Sequence, residues 1–140
     1  MKKLRAMLTN LLILGGITAL TAFLFLTIYP YKTFKVNSAK VLTPIVKVGE
    51  TMFYEVDYCK ATTLGSSVQR QIVSDTVAIP YPPVTSVAKE GCHKVKIPLL
   101  IGDSTPPGTY ILRVSATYQI NALRTITTNF ETDSFKVTKE

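Results

Sequence analysis

Cys59, Cys92 and His93 are the side chains in this 140-residue chain best suited to covalent or metal chemistry. Two thiolates and an imidazole form a donor set for copper or zinc. The spacing argues against such a site. No CxxC or HxxxH pair sets donors on one face, and a fourth ligand is not evident. In an oxidising compartment two lone cysteines are expected as a disulfide. That bridge would close a loop of about 34 residues and contribute about 3 kcal/mol. A Cys59–Cys92 disulfide is therefore the expectation, with no cofactor. A periplasmic redox or metal carrier using Cys59, Cys92 and His93 is the alternative.

The inventory for catalysis is poor. A hydrolytic triad needs a base beside a nucleophile. His93 directly follows Cys92, and neighbours in a strand point to opposite faces. The nine carboxylates are scattered, and no glycine-rich phosphate loop is present. The reading is non-enzymatic, with no catalytic residue. Tyr54, Tyr58, Tyr110 and Tyr118 fall at alternating strand positions, where core tyrosines with a hydroxyl at the rim are expected. Candidate binding residues lie instead in two loops: Tyr81, Pro82 and Pro83 in one, and Gln119, Asn121 and Arg124 at a hairpin tip.

The elements that would carry these residues are short strands. From residue 31 onward Val, Thr, Ile and Tyr dominate, Pro and Gly clusters punctuate, and no 3.6-residue period persists. Residues 31–37 and 41–48 read as a first strand broken near Asn37–Ser38. Residues 51–60 alternate cleanly, with Met52, Tyr54, Val56 and Tyr58 on one face. Residues 67–74, 93–101, 109–120, 123–131 and 134–138 follow as strands. The prolines of 79–84 confine that stretch to a loop or an edge. The expected fold is all-β: an immunoglobulin-like antiparallel β-sandwich of about seven strands, preceded by one N-terminal transmembrane α-helix. Setting Cys59 opposite Cys92 fixes a register between the second and fifth strands. Asp57 then meets Lys94, and Glu55 meets Lys96. Val56 meets Val95, Tyr54 meets Ile97 and Met52 meets Leu99 on the other face. The cysteines fall on the charged face, away from the core.

The N-terminal segment has another texture. No charged residue occurs between Ala6 and Tyr31, and the apolar stretch Met7–Tyr29 would span roughly 34 Å as a helix. It is too long for a signal-peptide core and ends in bulky residues, although Ala19 and Ala22 could be read as a cleavage site. Lys2, Lys3 and Arg5 crowd the short tail, which favours a cytoplasmic N-terminus and a periplasmic or extracellular domain. Tyr29 and Tyr31 fit an interfacial position, and Pro30 ends the helix. The expected organisation is a basic tail at 1–6, an anchor at 7–30 and a sandwich at 31–140, held near the bilayer by a short linker. The small-xxx-small spacings Gly15/Ala19 and Thr18/Ala22 offer a route to homo-oligomers through the helix. The net charge is +7. With no Arg-rich stripe and no reading helix, nucleic acid is not an expected partner.

The run Ile101-Gly-Asp-Ser-Thr-Pro-Pro-Gly-Thr-Tyr-Ile-Leu-Arg-Val resembles the P-x-G-T-Y-x-L-x-V strand of bacterial and phage immunoglobulin-like domains. Val48-Gly-Glu-Thr-Met-Phe-Tyr-Glu-Val looks like their second strand. With the anchor, Tyr58-Cys59-Lys60 and Gly91-Cys92-His93, the chain resembles small uncharacterised single-pass membrane proteins of tailed phages and their hosts. The resemblance implies a fold and an envelope setting, and brings no catalytic residue. The resulting expectation is a membrane-anchored binding or structural module of the cell envelope, acting on a protein, a glycan or the wall.

Overall fold

The computed structural model describes residues 2–29 and 31–139. Pro30, and with it the proposed helix stop, lies outside the described residues. The chain divides into two units. One holds the N-terminal helix and the turn at 120–124; the other holds the rest of the described chain from Lys32 onward.

In the first unit, α1 runs Lys2–Ile28. Its segment Thr9–Ile28 has a mean hydropathy of 2.4, and none of its residues is buried within the protein. It is thus long and apolar enough to cross a membrane. Its threonines are compatible with lipid because their hydroxyls bond back to the helix. Thr18 Oγ1 donates to Leu14 O at 2.8 Å, Thr21 Oγ1 to Ile17 O at 2.8 Å and Thr27 Oγ1 to Phe23 O at 2.9 Å.

The second unit is a β-sandwich. Ten strands occur along the described chain: β1 (Phe34–Val41), β2 (Ile45–Lys47), β3 (Thr51–Lys60), β4 (Ser66–Val73), β5 (Ala78–Pro80), β6 (Val84–Ser86), β7 (Gly91–Leu100), β8 (Gly108–Asn121), β9 (Arg124–Glu131) and β10 (Phe135–Thr138). One sheet has the order β1-β3-β7. The other has β2-β10-β8-β4-β5, with β6 also on β4 and β9 also on β8. About seven strands were expected, and the difference has one cause repeated three times: a long strand is interrupted. β5 and β6 pair with successive parts of β4, Gln71–Val73 and then Ser66–Val68. The donor-less Pro82 and Pro83 lie between them, so this is a broken edge strand. β10 pairs with the start of β8, and Thr132 continues the ladder toward β9 by donating its N–H to Leu112 O at 3.0 Å.

The first strand is interrupted as well, though not where the sequence suggests. At Asn37–Ser38 there is only a bulge, because the register shifts by one residue and pairing with β3 continues to Val41. The break comes at Leu42–Pro44. Leu42 N makes a main-chain bond to Phe53 O at 2.8 Å, and Thr43 Oγ1 accepts from Phe53 N at 3.2 Å. Pro44 has no N–H to extend that ladder. The chain then changes sheets, and β2 pairs in parallel with β10.

The β3–β7 register is the expected one at every position, including Cys59 opposite Cys92, Val56 opposite Val95 and Met52 opposite Leu99. Inward-facing residues of both sheets form the core. At one end Met52, Ile72, Leu99, Ile101, Leu112, Phe135 and Val137 are fully buried. Tyr110 closes this end: its hydroxyl donates to Pro106 O at 2.8 Å, four residues upstream, in the manner of a tyrosine corner. Toward the other end the sheets part. Inward-facing Val68, Val95, Ile97 and Phe130 are only partly buried there.

Candidate functional site

The cystine lies on the outer face of sheet one, as expected. Cys59 and Cys92 are bonded with Cα atoms 4.0 Å apart and join directly opposed residues of adjacent strands. The bridge is therefore a staple within one sheet. Around it the charged face is wired differently from a directly opposed ladder. Lys94 Nζ reaches diagonally to Glu55 at 2.8 Å, and that bond with its attraction holds the lysine above its ordinary pKa. Asp57 accepts from Asn37 Nδ2 at 3.1 Å, and Lys96 lies over the Phe53 ring, 4.2 Å from its centroid. A long lysine reaches a diagonal neighbour as readily as the residue opposite, so the register alone does not choose the partner.

His93 does not join the cysteines. Strand alternation turns it to the inner face, where its ring lies 5.9 Å from the Tyr58 ring and its Nε2 is 2.9 Å from Glu90 O. Among the described residues no group of three or more His, Cys, Asp or Glu side chains converges. The set Cys59, Cys92 and His93 is thus split between a closed disulfide and the opposite face.

The loop residues meet different fates. Tyr81 is half-buried against the core, and its buried hydroxyl has no partner. Pro82 and Pro83 are exposed at the break in the edge strand. Gln119 is exposed near the end of β8. Asn121 and Arg124 are turned to their own chain: Asn121 Nδ2 donates to Leu26 O at 3.1 Å and Arg124 Nη1 to Tyr29 O. Leu26 lies in the last turn of α1, where main-chain acceptors have no partner within the helix, and Tyr29 directly follows that helix. This tip is a helix cap.

The feature that the sequence reading missed is a cleft between the sheets, with a volume of ≈ 600 Å³. Such a size falls within the ordinary range of small-molecule sites. It occupies the end of the sandwich where the sheets part. Its walls are Tyr54, Val56 and Tyr58 of β3, Val95 and Ile97 of β7, Val68 of β4, and Val114, Ala116 and Tyr118 of β8. The segment Val84–Lys89 flanks it. Lys60 Nζ anchors that segment by donating to Ala88 O at 2.7 Å. Both neighbouring strands are sheet edges, β7 in one sheet and the broken β5–β6 strand in the other.

Arg70 enters this cleft from β4, between inward-facing Val68 and Ile72. Its Nε is buried and finds no acceptor. An orphaned buried donor costs about 1–3 kcal/mol, more when it is charged. Burial pushes the Tyr54 phenol above its ordinary pKa, and the neighbouring Arg70 guanidinium partly offsets the rise. Burial raises Tyr118 likewise, against a hydrogen bond with Ser66. A charged residue at an inward strand position was the signal that could have exposed the cleft, because alternation calls for an apolar side chain there.

No protein-family model matches the chain, and no curated protein matches it. Among solved structures it is similar to a Niemann-Pick type C2 protein from Japanese carpenter ant, at 11% identity and a TM-score of 0.50, covering 79% of this chain and 96% of that one. It is also similar to Spo0M, a sporulation control protein from Bacillus subtilis, at 12% identity and a TM-score of 0.51, covering 76% of this chain and 50% of that one. A match to the Pseudomonas fluorescens alkylpurine DNA glycosylase AlkC has 14% identity and a TM-score of 0.46; it covers 74% of this chain but only 30% of that one. At 11% and 12% identity the first two similarities are of fold alone: the described domain is a β-sandwich.

Proposed function

We propose that this protein is a non-enzymatic, membrane-anchored binding module of the cell envelope, held by α1 with its sandwich on the non-cytoplasmic side. The observation that carries the reading is the pairing of an unburied apolar helix with a cystine-bearing sandwich in one short chain. A disulfide persists in an oxidising compartment, which favours the periplasmic or extracellular side. Five residues, 29–33, separate the helix from β1, and such a tether suits an accessory subunit better than a far-reaching adhesin. The chemistry-bearing groups are dispersed, since Glu55 and Glu131 form surface ion pairs and His93 contacts a main-chain carbonyl. The partner class is a protein, a glycan or the wall layer, met through sandwich edges or the residue 81–87 segment.

Protease added to intact spheroplasts tests this placement. The sandwich should be digested or released while an epitope fused at residue 1 stays protected. A sandwich that resists until the membrane is broken would contradict the reading.

A further inference from the structure

We propose that the inter-sheet cleft is a binding site for a single acyl chain bearing an acidic head group, with the head held by Arg70. Three observations converge on this. The first is the shape. The cleft extends from Arg70 and Tyr54 to Ser66 and Tyr58, four residues along each strand, or about 13 Å at ~3.3 Å per residue. A cleft elongated along the strands accommodates an extended chain.

The second is the lining. The walls are aliphatic and aromatic at the positions that would otherwise meet across a closed sandwich, and Val68, Val95 and Ile97 remain partly uncovered. Apolar surface of this kind gains about 25 cal/mol for each Å² taken out of water, so a hydrocarbon chain is the favoured occupant.

The third is the charge. Arg70, His93 and Lys89 line the cleft, and no Asp or Glu does. Lys60 adds a further buried ammonium beside it, 5.9 Å from the Tyr118 ring centroid. Arg70 makes no ion pair among the described residues; its guanidinium hydrogen-bonds the Tyr54 phenol, while its Nε remains an unused buried donor. A carboxylate or phosphate would supply both the missing charge and the missing acceptor. The inference is independent of the anchored topology, because it concerns the sandwich alone.

The test uses the full chain in isolated membranes, with a palmitic acid probe carrying a diazirine along its chain. After irradiation, the labelled residues are mapped by peptide mass spectrometry. Labels should fall on the peptides bearing Val68, Val95 and Ala116. Ala116→Phe or Val95→Phe, which fill the slot, should reduce this labelling at least tenfold, and Arg70→Gln, which leaves it open, severalfold. Formation of the Cys59–Cys92 bond in each variant confirms folding. Unlabelled palmitate and monoacylglycerol phosphate are added as competitors, and whichever displaces the probe identifies the acid. Labelling confined to 9–28, labelling unchanged by both Phe variants, or equal displacement by methyl palmitate would overturn the proposal.

Discussion

Cys59 and Cys92 contribute through the unfolded chain more than through any contact of their sulfurs. They are 33 residues apart in sequence, and the bridge removes conformations that only the open chain can visit. Replacing both by Ser should lower stability by about 3 kcal/mol while leaving the β3–β7 register intact, since nine other directly opposed pairs flank it. Thermal unfolding followed by circular dichroism, with and without reductant, checks this: reductant should lower the wild-type midpoint and leave the double variant unmoved. The buried tyrosines make a second prediction. Tyr54, Tyr81 and Tyr118 all have phenol pKa values raised chiefly by burial. A group whose folded pKa exceeds its unfolded value, here about 10, contributes fully below that pH. Its contribution is lost as pH rises through the folded value. Stability should therefore hold from neutral pH to about 10 and fall above it, in a midpoint series that Tyr54→Phe flattens. The pairing of the cysteines was legible because alternation and charge agreed on one register. Arg70 was not, because an inward charge can only be interpreted once it is known whether the sheets close over it.

At the scale of elements, the interruptions decide the architecture. Strand positions and facing were legible from alternation, as in β3, where every even-numbered residue from Met52 to Lys60 is buried. The break in the first strand was misplaced. Asn-Ser looks like a turn, but a one-residue bulge absorbs it, whereas Pro44 ends the ladder and sends the chain to the other sheet. The turn after β2 depends on Gly49, whose φ is 78° and whose N–H donates to Ile101 O at 2.9 Å. A Cβ there would lie 2.7 Å from Asp103 Oδ1. Gly49→Ala should cost about 1–3 kcal/mol, and adding Asp103→Ala should recover only the steric part, because the left-handed backbone remains. Removing one hydroxyl with Tyr110→Phe should cost about 1 kcal/mol by freeing Pro106 O. Urea midpoints of these variants provide the check. The hairpin tip had looked like a binding loop because polar residues at a sandwich end often are. Asn121 and Arg124 bond to the main-chain carbonyls of Leu26 in α1 and of Tyr29 just after it, nearly a hundred residues earlier in the chain, a pairing that no local pattern encodes.

At the scale of the whole molecule, an apolar helix and a disulfide-stapled sandwich share one chain. The helix and sandwich were legible because their hydrophobic periods differ so sharply. The cleft was not, because a strand lining a gap has the same alternation as one lining a closed core. Intact mass of the membrane-extracted protein, with thiol alkylation before and after reduction, tests the combination most directly. The expected result is a mass that includes the whole apolar segment, with no alkylation until reduction and two adducts afterwards. A chain cleaved near Ala22, or two thiols that alkylate without reductant, would contradict an anchored module on the oxidising side of a membrane.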